Sequence, residues 1–277
     1  LEALEDRATD VLTRLEGIMK EIDTPVAAPP VEIGIPVPSS GSLQASPRAD
    51  IAHENISARP TAISPALSMQ LKEAQEILKT AELCRWEHPA SAAMLAGWLV
   101  LAPVCGSLRW RPHCWTVGGA GSGKSTVLSD FVKPLLGEME TSVLGASTEA
   151  GLRQHLGSDA IPVLMGEAEQ AQARDEERLQ AVMELARASS SETGAKTLKG
   201  TASGTGQEYL IRSMFLLSSI TSSLKQGSDK SRFALLQLRN PANDTPAEQL
   251  AHAAAWENLR KRLGNINAKT GQRLIAR

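Results

Sequence analysis

Hydrophobic and polar positions change period several times along the chain, and each change marks a boundary. Leu1, Leu4, Ala8, Val11, Leu15, Ile18 and Ile22 alternate spacings of three and four, the heptad stripe of an amphipathic helix over residues 1–23. Such a stripe pairs with another chain or docks on its own protein, and the sequence leaves both open. Residues 24–65 lose this period. Pro25, Pro29, Pro30, Pro36, Pro38, Pro47, Pro60 and Pro65 are interleaved with Ser, Ala and Gly, which denies the segment backbone ladders and predicts an extended, mobile linker. Helical spacing returns at Leu67, Leu71, Ala74, Leu78 and Ala81, and again over residues 90–101, so residues 66–112 read as a small helical unit. The apolar run 90–104 is shorter than the ~20 residues of a bilayer span and predicts a buried helix.

From residue 113 short apolar runs alternate with helical segments. Strands are predicted at 113–117, 141–144, 161–165, 214–218 and 233–238, and helices at 124–136, 149–156 and around Leu179, Val182, Met183 and Ala186. Residues 195–201 and 207–212 resemble the arms of a hairpin. This alternation predicts an α/β fold with a parallel sheet flanked by helices over 113–240, and residues 241–277 form a helical tail.

Composition narrows the function. The net charge of −2 and pI near 6.3 leave no global basic field, so any nucleic-acid contact must be a local patch. Aromatic residues make up only 3%, too few for a base-stacking platform. Cys84, Cys105 and Cys114 form no C-x-x-C pair and read as reduced core thiols of a cytoplasmic protein. Cys114 adjoins His113, but no second pair stands at zinc spacing. The charged, helix-like start is unlike a signal peptide, and no membrane partner is expected.

The sharpest chemistry lies between the first predicted strand and the helix after it. Gly118, Gly119, Ala120, Gly121, Ser122, Gly123, Lys124 and Ser125 fit G-x-x-x-x-G-K-[ST] at every fixed position, with Thr126 following. Glycines let successive N–H groups turn inward onto phosphate oxygens, and the following helix adds its positive end. Lys124 would reach the β- and γ-phosphates of ATP, and the Ser125 hydroxyl would ligate Mg²⁺.

A phosphate loop needs an acid at a neighbouring strand end. Residues 161–167 (IPVLMGE) supply Glu167 as general base and contributor to the metal shell. The usual pair is Asp-Glu; here Gly166 takes the Asp place, with Glu169 nearby to compensate. Ser218 or Ser219, ending the next strand, would touch the γ-phosphate or the attacking water, and Ser219 is the candidate taken forward. Arg232, assisted by Lys230, is placed to act as an arginine finger. Residues 187–239 carry eight Lys and Arg against three Asp and Glu, and Lys196 and Lys199 suit a DNA backbone.

The order GGAGSGKS at 118–125, VLMGEAE at 163–169, basic hairpin at 194–212, LLSSIT at 216–221 and DKSRF at 229–233 resembles the superfamily III helicase module of phage and plasmid primase-helicases, a branch of the AAA+ ATPases. That resemblance spans residues 113–240. It implies a ring, commonly a hexamer, with ATP at each subunit boundary, Arg232 acting in trans, and Lys196 or Lys199 tracking single-stranded or forked DNA. It also implies a primase as partner, and residues 66–112 as a collar or lid. A nucleotide-gated assembly factor with weak hydrolysis is the competing expectation, favoured by Gly166. A small-molecule kinase ranks third.

Overall fold

Residues 65–168, 173–191, 196–200, 206–222, 224, 227–240 and 244–275 are described in the structure, a computed structural model. The heptad stripe at 1–23, most of the proline-rich segment, Glu169 and Lys225 lie outside the described residues.

Seven strands form in chain order: β1 (His113–Val117), β2 (Thr141–Leu144), β3 (Val163–Gly166), β4 (Lys196–Gly200), β5 (Gly206–Leu210), β6 (Phe215–Ser219) and β7 (Phe233–Gln237). Five of them make one parallel sheet in the order β2-β3-β6-β1-β7. Every residue of β1 and β6 is buried, as expected for strands covered by helices on both faces. Edge strand β2 alternates half-buried and exposed positions. Its neighbour β3 takes two residues fewer at its start than the apolar run suggested, because Pro162 has no N–H to give the ladder.

Two helical layers cover the sheet. One holds α1 (Pro65–Ala81), α2 (Ala90–Leu101), α3 (Lys133–Leu136), α7 (Pro246–Leu263) and α8 (Ala268–Ile275), and the other α4 (Glu149–Leu156) and α5 (Ala173–Ser189); α6 (Gly227–Lys230) is a single turn before β7. In the first layer Ile77, Leu95, Trp98, Phe131, Leu259 and Leu274 share a core with Cys114, Leu164, Leu216 and Leu236 of the strands. In the second, Leu152, Leu179 and Met183 pack on Trp115, Met165 and Leu217. Fully burying a side chain of this size contributes about 1.5–3 kcal/mol, so both layers are integral to stability.

Helices α1 and α2 of the unit at 66–112 and α7 and α8 of the tail interlock over one face of the sheet. Arg262 Nη1 donates to Glu76 Oε2 at 2.8 Å, and Arg273 Nε to Glu73 Oε1 at 2.5 Å, tying the late helices to α1. The Trp86 backbone also pairs antiparallel with Leu238, so residues 85–87 finish the sheet edge beyond β7. Within this layer the stretch Ala90–Ser107 is long and apolar enough to cross a membrane by length and composition, yet Leu95, Trp98, Leu99, Ala102 and Cys105 are packed in the core.

Local chemistry explains several helix ends. Thr245 and Glu248 form a reciprocal capping box with Pro246 in the first turn, which starts α7 where the sequence predicts it. Thr148 caps α4 by accepting from the Gly151 N–H at 3.2 Å. The helix predicted at 124–136 forms, and within it Thr126–Val132 is π-helical before α3 begins. Pro134 has no N–H and its ring would meet the Asp130 carbonyl in a regular α-helix, and the wider turn upstream accommodates it.

Candidate nucleotide-binding site

Strand β1 lies between β6 and β7 rather than beside β2, so the chain reverses its order of strands there. Open α/β sheets bind ligands in the crevice beyond the carboxyl ends of strands at such a switch point. Residues 118–125 occupy that place. Gly121 and Gly123 have φ of 74° and 99°, values that need no Cβ and that turn the backbone into a loop. Lys124 is half-buried and curls back, its Nζ donating to the carbonyls of Gly118 at 2.6 Å and Gly119 at 3.0 Å. The Ser122 hydroxyl is buried with no protein partner, and Ser125 is exposed at the head of the helix. An ammonium held, among the described residues, by loop carbonyls, an orphaned hydroxyl and glycines at positive φ suit a polyphosphate. Ser125 would hold Mg²⁺ jointly with phosphate oxygens. Among the described residues no cluster of three His, Cys, Asp or Glu side chains could hold a metal by itself.

Glu167 follows β3 at the same edge and is exposed. One strand, β6, separates β3 from β1, which sets the acid and the loop roughly 10 Å apart at the level of the sheet. The Glu167 backbone is left-handed, with φ 54°, a conformation that costs a non-glycine residue about 1–3 kcal/mol and often marks a functional site. It is held from two sides. The Ala168 N–H donates to the Ser218 carbonyl at 2.9 Å, and Gly145 packs so closely that a Cβ there would lie 2.1 Å from the Glu167 carbonyl oxygen. Gly145 was not singled out from sequence, since nothing local distinguishes it from other loop glycines.

Alternation along the strands sorts the polar groups. Cys114, Leu164 and Leu216 face the α3 side, whereas Trp115, Met165 and Leu217 face the α5 side. By the same alternation Thr116, Gly166 and Ser218 face the helix that follows the phosphate loop. Ser219 lies on the opposite face. Its Oγ accepts from Trp115 Nε1 at 2.7 Å and donates to the Thr221 carbonyl at 2.5 Å, so the hydroxyl is occupied in the core. Ser218 pairs in register with Thr116, whose Oγ1 is buried and has no protein partner. Thr116 was missed from sequence because a Thr inside a strand carries no motif.

A cavity of about 310 Å³ opens beside the loop. Its walls come from Gly121–Gly123 and Thr126, from Leu83, Cys84 and Arg85 after α1, from Leu238, and from Gln249, His252 and Trp256 of α7. Mostly apolar with a few polar groups, it has the character and size of a small-ligand pocket. Arg85 pairs with the buried Asp244 ahead of α7, clamping one wall to the other. Burial pushes the Cys84 thiol up to about 12, which keeps it neutral in that wall.

The remaining candidates lie at the other end of the sheet. The Arg232 carbonyl accepts from the His113 N–H at 2.9 Å, at the start of β1. Five strand residues, roughly 16 Å, separate it from its own phosphate loop, beyond the reach of its side chain. The hairpin forms as expected: β4 and β5 pair antiparallel with Lys196 opposite Leu210 and Lys199 opposite Gln207. Tyr209 and Ile211 anchor it in the core of the α5 face, and the chain then enters β6 at the amino edge. There His113 is fully buried. Its Nδ1 accepts from the Phe215 N–H at 3.1 Å, so Nε2 carries the proton and donates to the Ala186 carbonyl at 2.7 Å. Burial pushes its pKa down to about 3, with Arg111 and Arg232 adding to the effect.

A parallel sheet in this order, helices on both faces and a glycine-turned loop at the carboxyl end of β1 define the α/β fold of P-loop NTPases, in an AAA+-like form. No protein-family model and no curated protein sequence matches the chain. Among solved structures it is similar to JCV helicase bound to a thiazolopyridinyl-phenoxyphenyl acetamide, at 13% identity and a TM-score of 0.41 over 74% of this chain and 53% of that one. It is likewise similar to the inhibitor-bound and to a further X-ray structure of JCV helicase, each at 12% identity and a TM-score of 0.39, over 74% of this chain and 54% of that one. The chain thus spans about half the length of the solved chains it matches.

Proposed function

We propose that the chain is the ATP-hydrolysing motor of a ring-forming DNA helicase or translocase, acting in the cytoplasm in the replication of a mobile genetic element. One observation carries this reading: a phosphate loop with a lysine at hand and an acid, Glu167, held in strain at the same sheet edge. The backbone amides of 118–126 and Lys124 would hold the ATP phosphates, and the cavity beside them would seat the base. Ser125 would hold Mg²⁺, which would supply charge neutralisation for the leaving group. Glu167 would take the proton of the attacking water. Ser218 replaces Ser219 in this reading as the group that touches the γ-phosphate or that water, because it lies on the loop's face of the sheet.

Arg232 serves a neighbouring subunit's site, since its own lies out of reach. That requirement favours a ring, which we take to be hexameric. Lys196 and Lys199 would grip single-stranded or forked DNA through its phosphates, and a primase is the expected partner. The second reading, a nucleotide-gated DNA- or protein-binding assembly factor, draws on Gly166, which offers no carboxylate at the metal-facing position.

The test compares wild type, Lys124→Ala, and the pair Lys196→Ala with Lys199→Ala in DNA-stimulated ATPase and strand displacement. The proposed function expects Lys124→Ala to abolish turnover. The hairpin variant should keep its ATP affinity but lose DNA affinity and flatten the salt dependence. Unchanged hydrolysis in Lys124→Ala refutes the site; ATP binding with neither DNA stimulation nor unwinding in wild type favours the assembly factor.

A further inference from the structure

Arg232 is not a lone cation at the amino edge. Its guanidinium carbon stands 5.6 Å from the centre of the Trp110 ring, and its Nη1 donates to the Ser228 carbonyl at 2.9 Å and to Ser231 Oγ at 3.3 Å. Trp110 is 48% exposed, a large apolar area to leave in water beside a candidate catalytic group. The ring is nonetheless presented by a fixed backbone. Trp110 bridges antiparallel to Ser191, the Arg111 N–H donates to the Ser190 carbonyl at 2.8 Å, and the Arg111 guanidinium is fully buried, donating to the carbonyls of Ser189 and Leu108. A planar guanidinium over an indole face keeps its orientation, and the donors not taken up by Ser228 and Ser231 can meet an anion. Trp and Arg together are also the residue types that most often anchor protein interfaces.

We propose that Trp110 is a positioning residue for Arg232, holding the guanidinium as a stiff unit that enters the phosphate site of a second copy of this chain. The assignment rests on the reading of Arg232 as acting in trans.

The experiment uses the full chain. Trp110→Ala should lower the kcat of ATP hydrolysis about tenfold, with the KM for ATP and the oligomer size by light scattering unchanged. Trp110→Phe, which keeps an aromatic face, should retain most activity. Mixing Trp110→Ala with Lys124→Ala should restore turnover, because the Lys124→Ala subunit cannot hydrolyse but lends an intact Trp110 and Arg232 across the boundary. A loss of kcat that mixing does not restore, or an oligomer that falls apart in Trp110→Ala, assigns the indole to its own subunit or to assembly and overturns the positioning role. Mixing Arg232→Ala with Lys124→Ala separates the two ideas. If that mixture regains no activity, the action of Arg232 in trans fails. If it does regain activity while Trp110→Ala alone is as active as wild type, only the Trp110 assignment fails.

Discussion

Gly145→Ala is the most exacting probe of the site, because it touches neither the phosphate loop nor the acid's own side chain. A Cβ at residue 145 would lie 2.1 Å from the Glu167 carbonyl oxygen, 3.0 Å from its carbon and 3.5 Å from Ala168 Cα. Carbon–oxygen contacts become comfortable near about 3.3 Å, so one backbone or the other must retreat by about 1 Å. Glu167 has little freedom to absorb this, being strained at φ 54° and followed by a peptide tied to Ser218. Overpacking of this kind costs about 1–3 kcal/mol, which a domain of ordinary stability survives. A displacement of about 1 Å in a catalytic group is by contrast worth about a hundredfold in rate. The expected outcome is a folded protein whose kcat falls about a hundredfold while titration with a fluorescent ATP analogue gives an unaltered affinity. A well-folded Gly145→Ala protein with full kcat would refute the placement of Glu167 as the base.

Other perturbations separate neighbouring residues. Ser219→Ala strands the buried indole N–H of Trp115 and should lower stability by about 1–3 kcal/mol in thermal melts with little change in kcat; Ser218→Ala should do the reverse. Gly166→Asp has room, since an added Cβ meets only Leu128 Cδ2 at 3.6 Å, and a carboxylate there should cut the Mg²⁺ needed for half-maximal turnover about tenfold, one or two charge-assisted hydrogen bonds' worth. An unchanged Mg²⁺ titration would show that Gly166 does not occupy the vacant acidic position. His113 takes up its proton near pH 3 when folded and near 6.5 when unfolded. Its contribution to stability is therefore complete above pH 6.5 and falls as the pH drops from 6.5 toward 3, by roughly 1.4 kcal/mol per unit. Denaturant melts across that range should show a flatter slope for His113→Gln.

Much of the fold was legible because the strands are short apolar runs with strong turn chemistry on either side. The boundaries of β1 and β2 coincide with their sequence patterns. The turn at 118–125 was legible because its conformation is imposed locally by glycines. What stayed hidden depends on distant pairing. Ser218 and Ser219 are adjacent, and only the register of β6 against β1 decides which faces the loop. The cavity joins residues 83–85 to Gln249, His252 and Trp256, more than 160 positions later, and no local pattern links them. The amphipathic faces of the helices before and after the sheet do not say what they cover, so their packing on one another stayed hidden too. The π-helical turn escaped as well, since the Pro134 that accompanies it reads equally well as a helix end.

The pairing of α1 with α8 bears on how the protein is made. Ile77 emerges from the ribosome nearly 200 residues before Leu274, yet both belong to one core, and Arg273 must find Glu73 to join them. A nascent chain that already carries the loop at 118–125 and its sheet still leaves one side of α1 uncovered until α8 is translated. Synthesis that stalls or terminates late should therefore yield sticky, chaperone-dependent products rather than a smaller folded protein.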